Sequence, residues 1–428
     1  MTLEQIHKLF LDCNGACTDT RKITWNSMFF ALKGANFDGN TFSEDAIKLG
    51  AKYVIIDNKD YLLGSNTILV EDVLETLQNL ATFHRIFLKT KILALTGSNG
   101  KTTTKELINA VLSQKYNTTA TAGNLNNHIG VPLTLLSMTK ETELGIIEMG
   151  ANHQKEIDFL CNIVLPDYGY ITNFGKAHLE GFGGVEGVIK GKSEMYTHLI
   201  KHNKTIFVNT DDRIQLEKTK QAKTVTFGTK QEPNTVIIKP KTSEPCVSVI
   251  YDNESINSQL IGEYNFSNIS AAIAIGTYFN VSTNAIKNAI ENYIPSNNRS
   301  QVLKKGTNKI ILDAYNANPT SMEAALINFD KQKESKKLLF LGDMFELGKD
   351  SKLEHEGIVK LTQEMNLENC YFIGEHFFSV NNNDYNGEFF KSFEDFKNHV
   401  EILKFDDSLI LIKGSRGMAL ERILDMIY

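Results

Sequence analysis

One stretch of the chain, from Ile92 to Lys105, constrains the fold more than any other. Its sequence is ILALTGSNGKTTTK, so a short apolar run leads into a glycine turn and then into a lysine and three threonines. Apolar side chains then recur at helical spacing, at Leu107, Ile108, Val111 and Leu112. A strand, a glycine turn and a helix N-terminus form an anion site, because backbone N–H groups and the helix dipole both favour negative charge there. The stretch therefore predicts a loop that binds nucleotide phosphates.

The residue types in this loop suit that role. Glycine lets the backbone approach phosphate oxygens, Lys101 can reach the terminal phosphates, and the Thr102 hydroxyl can ligate Mg²⁺. The common form of the motif, G-x-x-x-x-G-K-[ST], has glycine where this chain has Leu95, so the loop is a variant. The residues expected to form it are Gly97, Ser98, Asn99, Gly100, Lys101, Thr102 and Thr103.

Length and composition exclude several classes of protein. At about 150 residues per domain, 428 residues predict two to four domains. The hydrophobic fraction of 42% and the charged fraction of 22% are those of an ordinary soluble protein. A net charge of −6 gives no sign of a surface for nucleic acid or an anionic membrane. No apolar run approaches membrane-spanning length, and no secretory leader is evident. We expect a monomeric cytoplasmic protein without nucleic-acid or membrane partners.

Strand and helix signals divide the chain into three α/β units. Residues 1–88 form a small unit with strand candidates at Phe29–Leu32 and Ala51–Asp57, and its last helix, Val73–Leu88, bridges to the next unit. Residues 89–296 alternate strand and helix signals, which predicts a mostly parallel sheet with helices on both faces. Residues 297–428 contain four further apolar strands separated by helical segments, so a second doubly wound sheet is expected.

Several polar residues of the central unit lie where ligands bind in such sheets. Glu148 ends the apolar strand LGIIE and offers Mg²⁺ a carboxylate, although a strand-end acid can equally be a solvated side chain. His178 follows the strand of YITNFGKAHLEG, where a structural role is the alternative. Asn126 and Asn127 lie in a loop between glycine and proline, where asparagine often simply forms turns. A second Gly-Lys-Ser, at residues 191–193, is rejected as a phosphate loop because no apolar strand precedes it.

The motifs taken together resemble the Mur ligase family. They are TGSNGKTTTK, NLNNHIGVPLTLL, IIEMGANH, NFGKAHLEGFG, LDAYNANPTSM, LGDMFELG and KGSRGM, and an amino-terminal DTR…FFALKG…DG precedes them. The motifs span all three units in the family's order. The resemblance implies an amino-terminal UDP-binding domain (1–88), a central ATP-binding domain (89–296) and a Rossmann-like carboxyl-terminal domain (297–428).

Within the family, the motifs are most similar to those of ligases that join D-alanyl-D-alanine to UDP-N-acetylmuramoyl-tripeptide. The resemblance thus implies an ATP-dependent amide ligase of peptidoglycan synthesis that works through an acyl phosphate. Another Mur ligase or a folylpolyglutamate synthase would share the central chemistry, but YNANPTSM favours the D-alanyl-D-alanine enzyme and a DNPR motif is absent. A nucleotide-dependent switch is the alternative from a different class, and no N-K-x-D signature follows the loop.

The resemblance also implies roles for individual residues. Lys101 and Thr102 would hold ATP phosphates and Mg²⁺, with Glu148 and His178 serving the metal. The remaining expected contacts are Asn265 at the adenine, Asp313 at the ribose, Arg299 at the nucleotide, Thr20, Arg21 and Lys33 near the UDP end, and Asn126 and Asn127 at the substrate.

A covalent modification is the least obvious consequence of the resemblance. Lys192, in GVIKGKSEMY, matches the family's A-K-x-E lysine, which is carbamylated by CO₂ and bridges to metal, except that glycine replaces the alanine. Lys190 is the alternative site.

Two departures from the family pattern concern the nucleotide: Tyr264 stands where histidine is frequent, and SNN precedes Arg299 where proline and glycine are common.

Overall fold

The structure, a computed structural model, describes residues 1–241, 245–334, 336–382, 384–400 and 406–427. Within these residues the chain forms three α/β units, each built on a main sheet of its own. The predicted α/β fold class, with a mostly parallel sheet in the centre, is confirmed. None of the described helices combines the length and the apolar character needed to cross a bilayer.

The amino-terminal unit is a small parallel sheet with helices. Its strands are β1 (Ala16–Cys17), β2 (Met28–Phe30), β3 (Lys33–Gly34), β4 (Phe37–Asp38), β5 (Tyr53–Ile56) and β6 (Thr67–Leu69), and its helices are α1 (Leu3–Phe10), α2 (Ser43–Lys48) and α3 (Val73–Leu88). Four strands pair in the order β1-β2-β5-β6, and β3 pairs with β4 as a separate hairpin. Helix α3 has the predicted bounds, because Asp72 accepts a hydrogen bond from the Glu75 N–H at its start and Lys89 is left-handed at its end.

The central unit contains seven parallel strands and most of the helices. Its strands are β7 (Lys91–Thr96), β8 (Thr118–Ala120), β9 (Leu144–Glu148), β10 (Tyr168–Ile171), β11 (Thr205–Asn209), β12 (Lys223–Gly228) and β13 (Thr235–Ile237). Its first six helices are α4 (Lys101–Leu112), α5 (Gly130–Leu136), α6 (Glu156–Val164), α7 (Leu179–Phe182), α8 (Val185–Lys201) and α9 (Arg213–Lys218). The strand order is β13-β12-β11-β10-β7-β9-β8, so the strand before the phosphate loop lies between β10 and β9. The second Gly-Lys-Ser lies inside α8, and its rejection as a phosphate loop is confirmed.

An antiparallel addition completes the central unit and was not predicted. It consists of β14 (Lys239–Lys241), β15 (Cys246–Tyr251) and β16 (Glu254–Ile261), followed by α10 (Asn265–Tyr278) and α11 (Thr283–Glu291). Helix α10 packs on α4, and both contribute to one apolar core. The approach is close: a Cβ atom at Gly276 would lie 2.5 Å from Cγ1 of Val111, which explains why α10 is rich in small residues.

The carboxyl-terminal unit has the doubly wound sheet expected from its sequence. Its strands are β17 (Gln301–Lys305), β18 (Asn308–Asp313), β19 (Lys336–Gly342), β20 (Cys370–Ile373), β21 (Glu388–Phe390) and β22 (Ser408–Lys413), and its helices are α12 (Pro319–Asp330), α13 (Ser351–Glu364), α14 (Glu375–Ser379) and α15 (Phe393–His399). The order is β17-β18-β22-β19-β20-β21, with β17 antiparallel to β18 and the other pairs parallel.

A buried carboxylate ties α3 to the amino-terminal edge of the central sheet. Asp167 Oδ2 accepts hydrogen bonds from Arg85 Nη2 at 2.7 Å and from the Ile92 N–H at 3.2 Å, while Oδ1 accepts one from Lys204 Nζ at 2.8 Å. Lys91 lies 3.6 Å from the same carboxylate. Burial alone would raise the pKa of Asp167, but these hydrogen bonds and charges hold it below the ordinary value.

We expect Asp167→Asn to destabilise the protein by about 3 kcal/mol at pH 7, because two cations lose a nearly buried partner. The pKa is lowered in the folded state, so the carboxylate stabilises the fold above the ordinary aspartate pKa. That contribution is lost as the pH falls toward the lowered value. Urea unfolding from pH 7 down to pH 3 should show the two proteins converging below about pH 4.

Glu217→Gln is the matched control, since Glu217 pairs with Arg213 on the solvent-exposed face of α9. It should cost less than about 0.5 kcal/mol. Equal effects of the two substitutions would contradict the assigned role of Asp167.

Candidate active site

A cavity of about 900 Å³ lies at the carboxyl-terminal edge of the central sheet, between the central and carboxyl-terminal units. It is the place where α/β sheets generally bind ligands, because loops from neighbouring strands meet there. The structure brings together many of the residues predicted from the sequence. Those that line the cavity are Ser98, Asn99, Gly100, Lys101, Thr102, Thr103, Asn126, Asn127, Glu148, His178, Asn265, Arg299 and Asp313.

The phosphate loop is held in shape by the end of strand β10. Gly97 has a φ of 147°, and a Cβ atom there would lie 1.9 Å from the Thr172 hydroxyl, so the position requires glycine. The backbone N–H of Ser98 donates to the carbonyl of Asn173 at 3.0 Å, and the N–H of Asn99 donates to the Asn173 side chain at 3.0 Å. The loop therefore enters α4 with a fixed backbone, which suits close approach to phosphate.

Lys101 is folded over this loop. Its Nζ donates to the carbonyl oxygens of Gly97 at 2.8 Å and Ser98 at 3.2 Å. Burial lowers the pKa of Lys101, the Glu148 carboxylate opposes that effect, and the cation of Arg299 adds to it. A lysine surrounded in this way gains most from an anionic ligand, which would restore the charge balance around it.

Glu148 presents one free carboxylate oxygen at the cavity. The side chain is 1% exposed, and Oε1 accepts a hydrogen bond from Asn126 Nδ2 at 2.8 Å. Oε2 has no hydrogen-bond partner in the described part of the chain. A buried carboxylate oxygen without a partner is costly unless a cation or donor occupies the space beside it.

His178 joins the central unit to the carboxyl-terminal unit. Its Nδ1 is hydrogen-bonded to Oε2 of Glu346, and that bond lowers the pKa of the Glu346 carboxyl. Both residues have left-handed backbone conformations, with φ values of 53° and 62°. A histidine whose Nδ1 is fixed by a carboxylate keeps Nε2 as its available ligand atom, an arrangement frequent at metal sites.

The carboxyl-terminal unit supplies a second group of polar residues. Asp313 accepts from Lys413 Nζ at 2.5 Å and from the Ser300 N–H at 3.0 Å. The guanidinium of Arg299 lies 3.6 Å from the Tyr315 ring centroid, and its Nε has no partner among the described residues. Arg299 therefore has a stacked, fixed plane and an unused donor.

A chain of buried amides and hydroxyls connects α4 to the start of α10. Thr104 donates to Asn268 at 3.0 Å, Asn268 donates to Asn265 at 2.8 Å, and Asn265 donates to the Ile261 carbonyl at 2.7 Å. Tyr264, where the family pattern has histidine, is hydrogen-bonded through its hydroxyl to Ser300 at 2.7 Å. Tyr264, Asn265 and Asn268 all line the cavity.

Some residues at the site were not singled out from the sequence. Asn318, the N-cap of α12, donates from its side chain to Asn99 Oδ1 at 2.7 Å and so contacts the phosphate loop from the other unit. The dipeptide Asn318-Pro319 is a helix-start signal and could have located this helix end. Its contact with Asn99 depends on tertiary structure and has no sequence signal.

Five predicted residues lie outside the cavity lining. Thr20, Arg21 and Lys33 belong to the amino-terminal unit, where Arg21 pairs with Asp19 at 2.9 Å and Lys33 with Asp57 at 2.8 Å. Their predicted role toward UDP stays a prediction. The other two, Gly97 and Lys192, contact residues of the lining: Lys101 donates to the Gly97 carbonyl, and Lys192 donates to the Ala151 carbonyl.

Lys192 is buried in α8 with no exposed surface. Its Nζ donates to the Ala151 carbonyl at 3.0 Å and lies 4.9 Å from the centre of the Phe182 ring. Burial and, second, the cation of Lys101 hold its pKa well below the ordinary value.

Comparison with known proteins agrees with this geometry. Models of the Mur ligase family match all three units: the catalytic domain of the family at residues 13–85, the middle domain at 95–276 and the glutamate ligase domain at 298–416. The UDP-N-acetylmuramoyl-tripeptide–D-alanyl-D-alanine ligase of Bacillus subtilis (strain 168) is 34% identical over 96% of this chain and 92% of its own length. The chain belongs to the Mur ligase family. The resemblance seen in the motifs is thereby confirmed.

Other Mur ligases extend the similarity. The enzyme of the same name from Escherichia coli (strain K12) is 31% identical over 95% of this chain and 92% of its own. A crystal structure of MurF from Acinetobacter baumannii has a TM-score of 0.83 at 28% identity and covers 99% of this chain and 98% of the other. The MurF ligase of Thermotoga maritima, solved in complex with ADP, also has a TM-score of 0.83, at 25% identity and with 97% of each chain covered.

Proposed function

We propose that this Mur ligase joins D-alanyl-D-alanine to UDP-N-acetylmuramoyl-tripeptide with ATP, forming the pentapeptide precursor of peptidoglycan. The observation that carries the proposal is the cavity itself, which unites a phosphate loop, the unpartnered carboxylate oxygen of Glu148 and the Asp313–Lys413 pair of another unit. The names of the full-length relatives supply the substrates.

The proposal assigns one role to each unit. Residues 1–88 bind the UDP end of the acceptor through Thr20, Arg21 and Lys33, residues 89–296 bind ATP, and residues 297–428 complete the ligase site. The proposal also includes a monomeric enzyme and a cytoplasmic location, the latter because ATP is available in the cytoplasm. The proposed roles in cell shape and cell division follow from the product, the pentapeptide precursor of peptidoglycan.

The phosphates of ATP fit the loop at the start of α4. Backbone N–H groups and the helix dipole attract them, and Lys101 can turn from the loop carbonyls toward the terminal phosphate. All four of Tyr264, Asn265, Arg299 and Asp313 line the cavity, and the proposal assigns Asn265 to the base, Asp313 to the ribose and Arg299 to the nucleotide. The ADP complex of the Thermotoga maritima enzyme supports this use of the site.

The donors present also fit Mg²⁺. Thr102, Glu148 Oε2 and His178 would hold the ion. Among the described residues, no group of three or more His, Cys, Asp or Glu side chains could hold a metal ion by itself. Mg²⁺ commonly uses few protein ligands together with phosphates and waters, so this sparse set is suitable. The ion would offset phosphate charge during transfer.

The reaction requires two displacements. The terminal carboxylate of the tripeptide attacks the γ-phosphorus, forming a C–O–P bond and releasing ADP. The amine of D-alanyl-D-alanine then attacks the acyl carbon, loses a proton, and expels phosphate as the amide forms. Two anions must approach each other in the first step, so Lys101 and the N-terminus of α4 stabilise charge that accumulates on the phosphate oxygens.

We propose further that Lys192 is carbamylated. Its neutral amine would add to CO₂ and lose a proton, giving an anionic carbamate with oxygen ligands of the kind Mg²⁺ prefers. The support is its complete burial beside Lys101 and the lowered pKa, since the addition requires a neutral amine. Lys190, the alternative, is exposed on the same helix.

The proposed reaction can be measured as phosphate release from ATP. We expect release that requires both UDP-N-acetylmuramoyl-tripeptide and D-alanyl-D-alanine, with the pentapeptide product confirmed by mass spectrometry. To test for another Mur ligase activity, glutamate or diaminopimelate replaces D-alanyl-D-alanine as the amine, each with the acceptor it would need. To test for a folylpolyglutamate synthase, a folate is the acceptor. Release with either of these and none with D-alanyl-D-alanine would overturn the proposal.

Lys101→Ala and Glu148→Gln should each reduce turnover by at least about a hundredfold, because each removes charge that acts on the transferring phosphate. The folded state should persist, as judged by circular dichroism. Near wild-type turnover of either variant in Mg²⁺ would contradict its assigned role.

Lys192→Ala should lose most activity and regain part of it when a short carboxylic acid is added, because the acid can replace the carbamate oxygens. Lys190→Ala is the matched control and should remain active. Full activity of Lys192→Ala, or loss in Lys190→Ala instead, would reject the modification at Lys192.

A further inference from the structure

The side chain of Asn126 makes a specific contact that the resemblance does not account for. The motif assigns this residue to the substrate, yet its Nδ2 donates to Glu148 Oε1 at 2.8 Å. Glu148 is 1% exposed and Asn126 is half-buried, so the hydrogen bond is partly shielded from water. Asn126 is the side-chain donor to Glu148 within the described residues.

This single donor determines which way the carboxylate faces. A glutamate carboxylate rotates readily about its last torsion, which has broad minima. Oε1 is engaged by Asn126, and Oε2 has no partner among the residues that the structure describes. The same carboxylate without the amide would have two equivalent oxygens and no preferred direction toward a cation.

The main chain of Asn126 is itself held in place by two backbone hydrogen bonds. The N–H of Asn126 donates to the carbonyl of Asn124, and the N–H of Gly150 donates to the carbonyl of Asn126, both at 2.7 Å. The second bond connects the loop to the residues that follow strand β9, so Asn126 and Glu148 belong to one fixed substructure.

Gly150 is required for this arrangement. A Cβ atom at Gly150 would lie 2.9 Å from both Cγ and Oδ1 of the Asn126 side chain, closer than side chains tolerate. Glycine in the IIEMGANH sequence therefore makes room for the amide that orients Glu148. A side chain at this position would force the Asn126 amide to shift.

We propose that Asn126 is a positioning residue, which acts on the divalent cation by orienting the Glu148 carboxylate. Gly150 leaves the space that the Asn126 side chain occupies. The inference rests on the proposed metal role of Glu148. Residues that orient a metal ligand typically change metal affinity by about 10- to 100-fold when removed. The expected effect is therefore on cation binding, separate from binding of the acceptor.

The test is Mn²⁺ binding to the full-length enzyme saturated with ADP, with free Mn²⁺ followed by electron paramagnetic resonance and an ADP blank subtracted. Asn126→Ala and Gly150→Ala should each weaken Mn²⁺ binding by about 10- to 100-fold. ADP affinity in EDTA and the thermal midpoint should change little. Asn124→Ala is the matched control, because Asn124 is in the same loop and the side-chain donor to Glu148 among the described residues is Asn126.

The variants separate the inference from the function on which it rests. Wild-type Mn²⁺ affinity in Asn126→Ala, with loss in Glu148→Gln, would overturn the positioning role and leave the proposed function standing. Wild-type affinity in Glu148→Gln would instead overturn the metal role of Glu148, and with it this inference. A raised KM for the acceptor with unchanged Mn²⁺ binding would return Asn126 to a substrate contact. If Gly150→Ala does not fold, Asn126→Ala decides alone.

Discussion

The parallel pairing of β7 with β9 on one side and β10 on the other is the constraint on which the site depends. Leu95 pairs with Glu148 and Thr96 with Ile171, so three strands end at almost the same level. Their following loops must share the space above that edge. The phosphate loop, the Glu148 carboxylate and the Thr172–Asn173 segment meet for this reason, even though they are separated by many residues in sequence.

Local signals predicted the elements well but not their contacts across the fold. The helix Val73–Leu88 and the strand ending at Glu148 were predictable because capping and apolar spacing are encoded within a few residues. The antiparallel strands from residue 239 to 261 were missed, as their alternation is weak. The bond between His178 and Glu346 spans 168 residues, and no spacing rule can indicate it.

For the site residues too, the sequence predicted positions but not long-range contacts. Lys101 could be placed because a glycine turn and a helix start define where its side chain must lie. Asn126 could be placed in the right loop, but its partner could not be predicted, since the choice between Glu148 and a substrate depends on a contact of 2.8 Å between two segments. Motif resemblance located the residue, and the tertiary structure suggests what it does.

At the two edges of the central sheet, the unpaired backbone groups of helix ends find different kinds of partner. At the amino-terminal edge, helix α6 ends with carbonyl groups that Arg85 binds at Val164 and Leu165, and Asp167 holds that arginine in place. At the opposite edge, α4 begins at Lys101, and the preceding N-cap residue, Gly100, provides no side-chain cap. Its positive end is thus left for a ligand, whereas the negative end of α6 is satisfied within the protein.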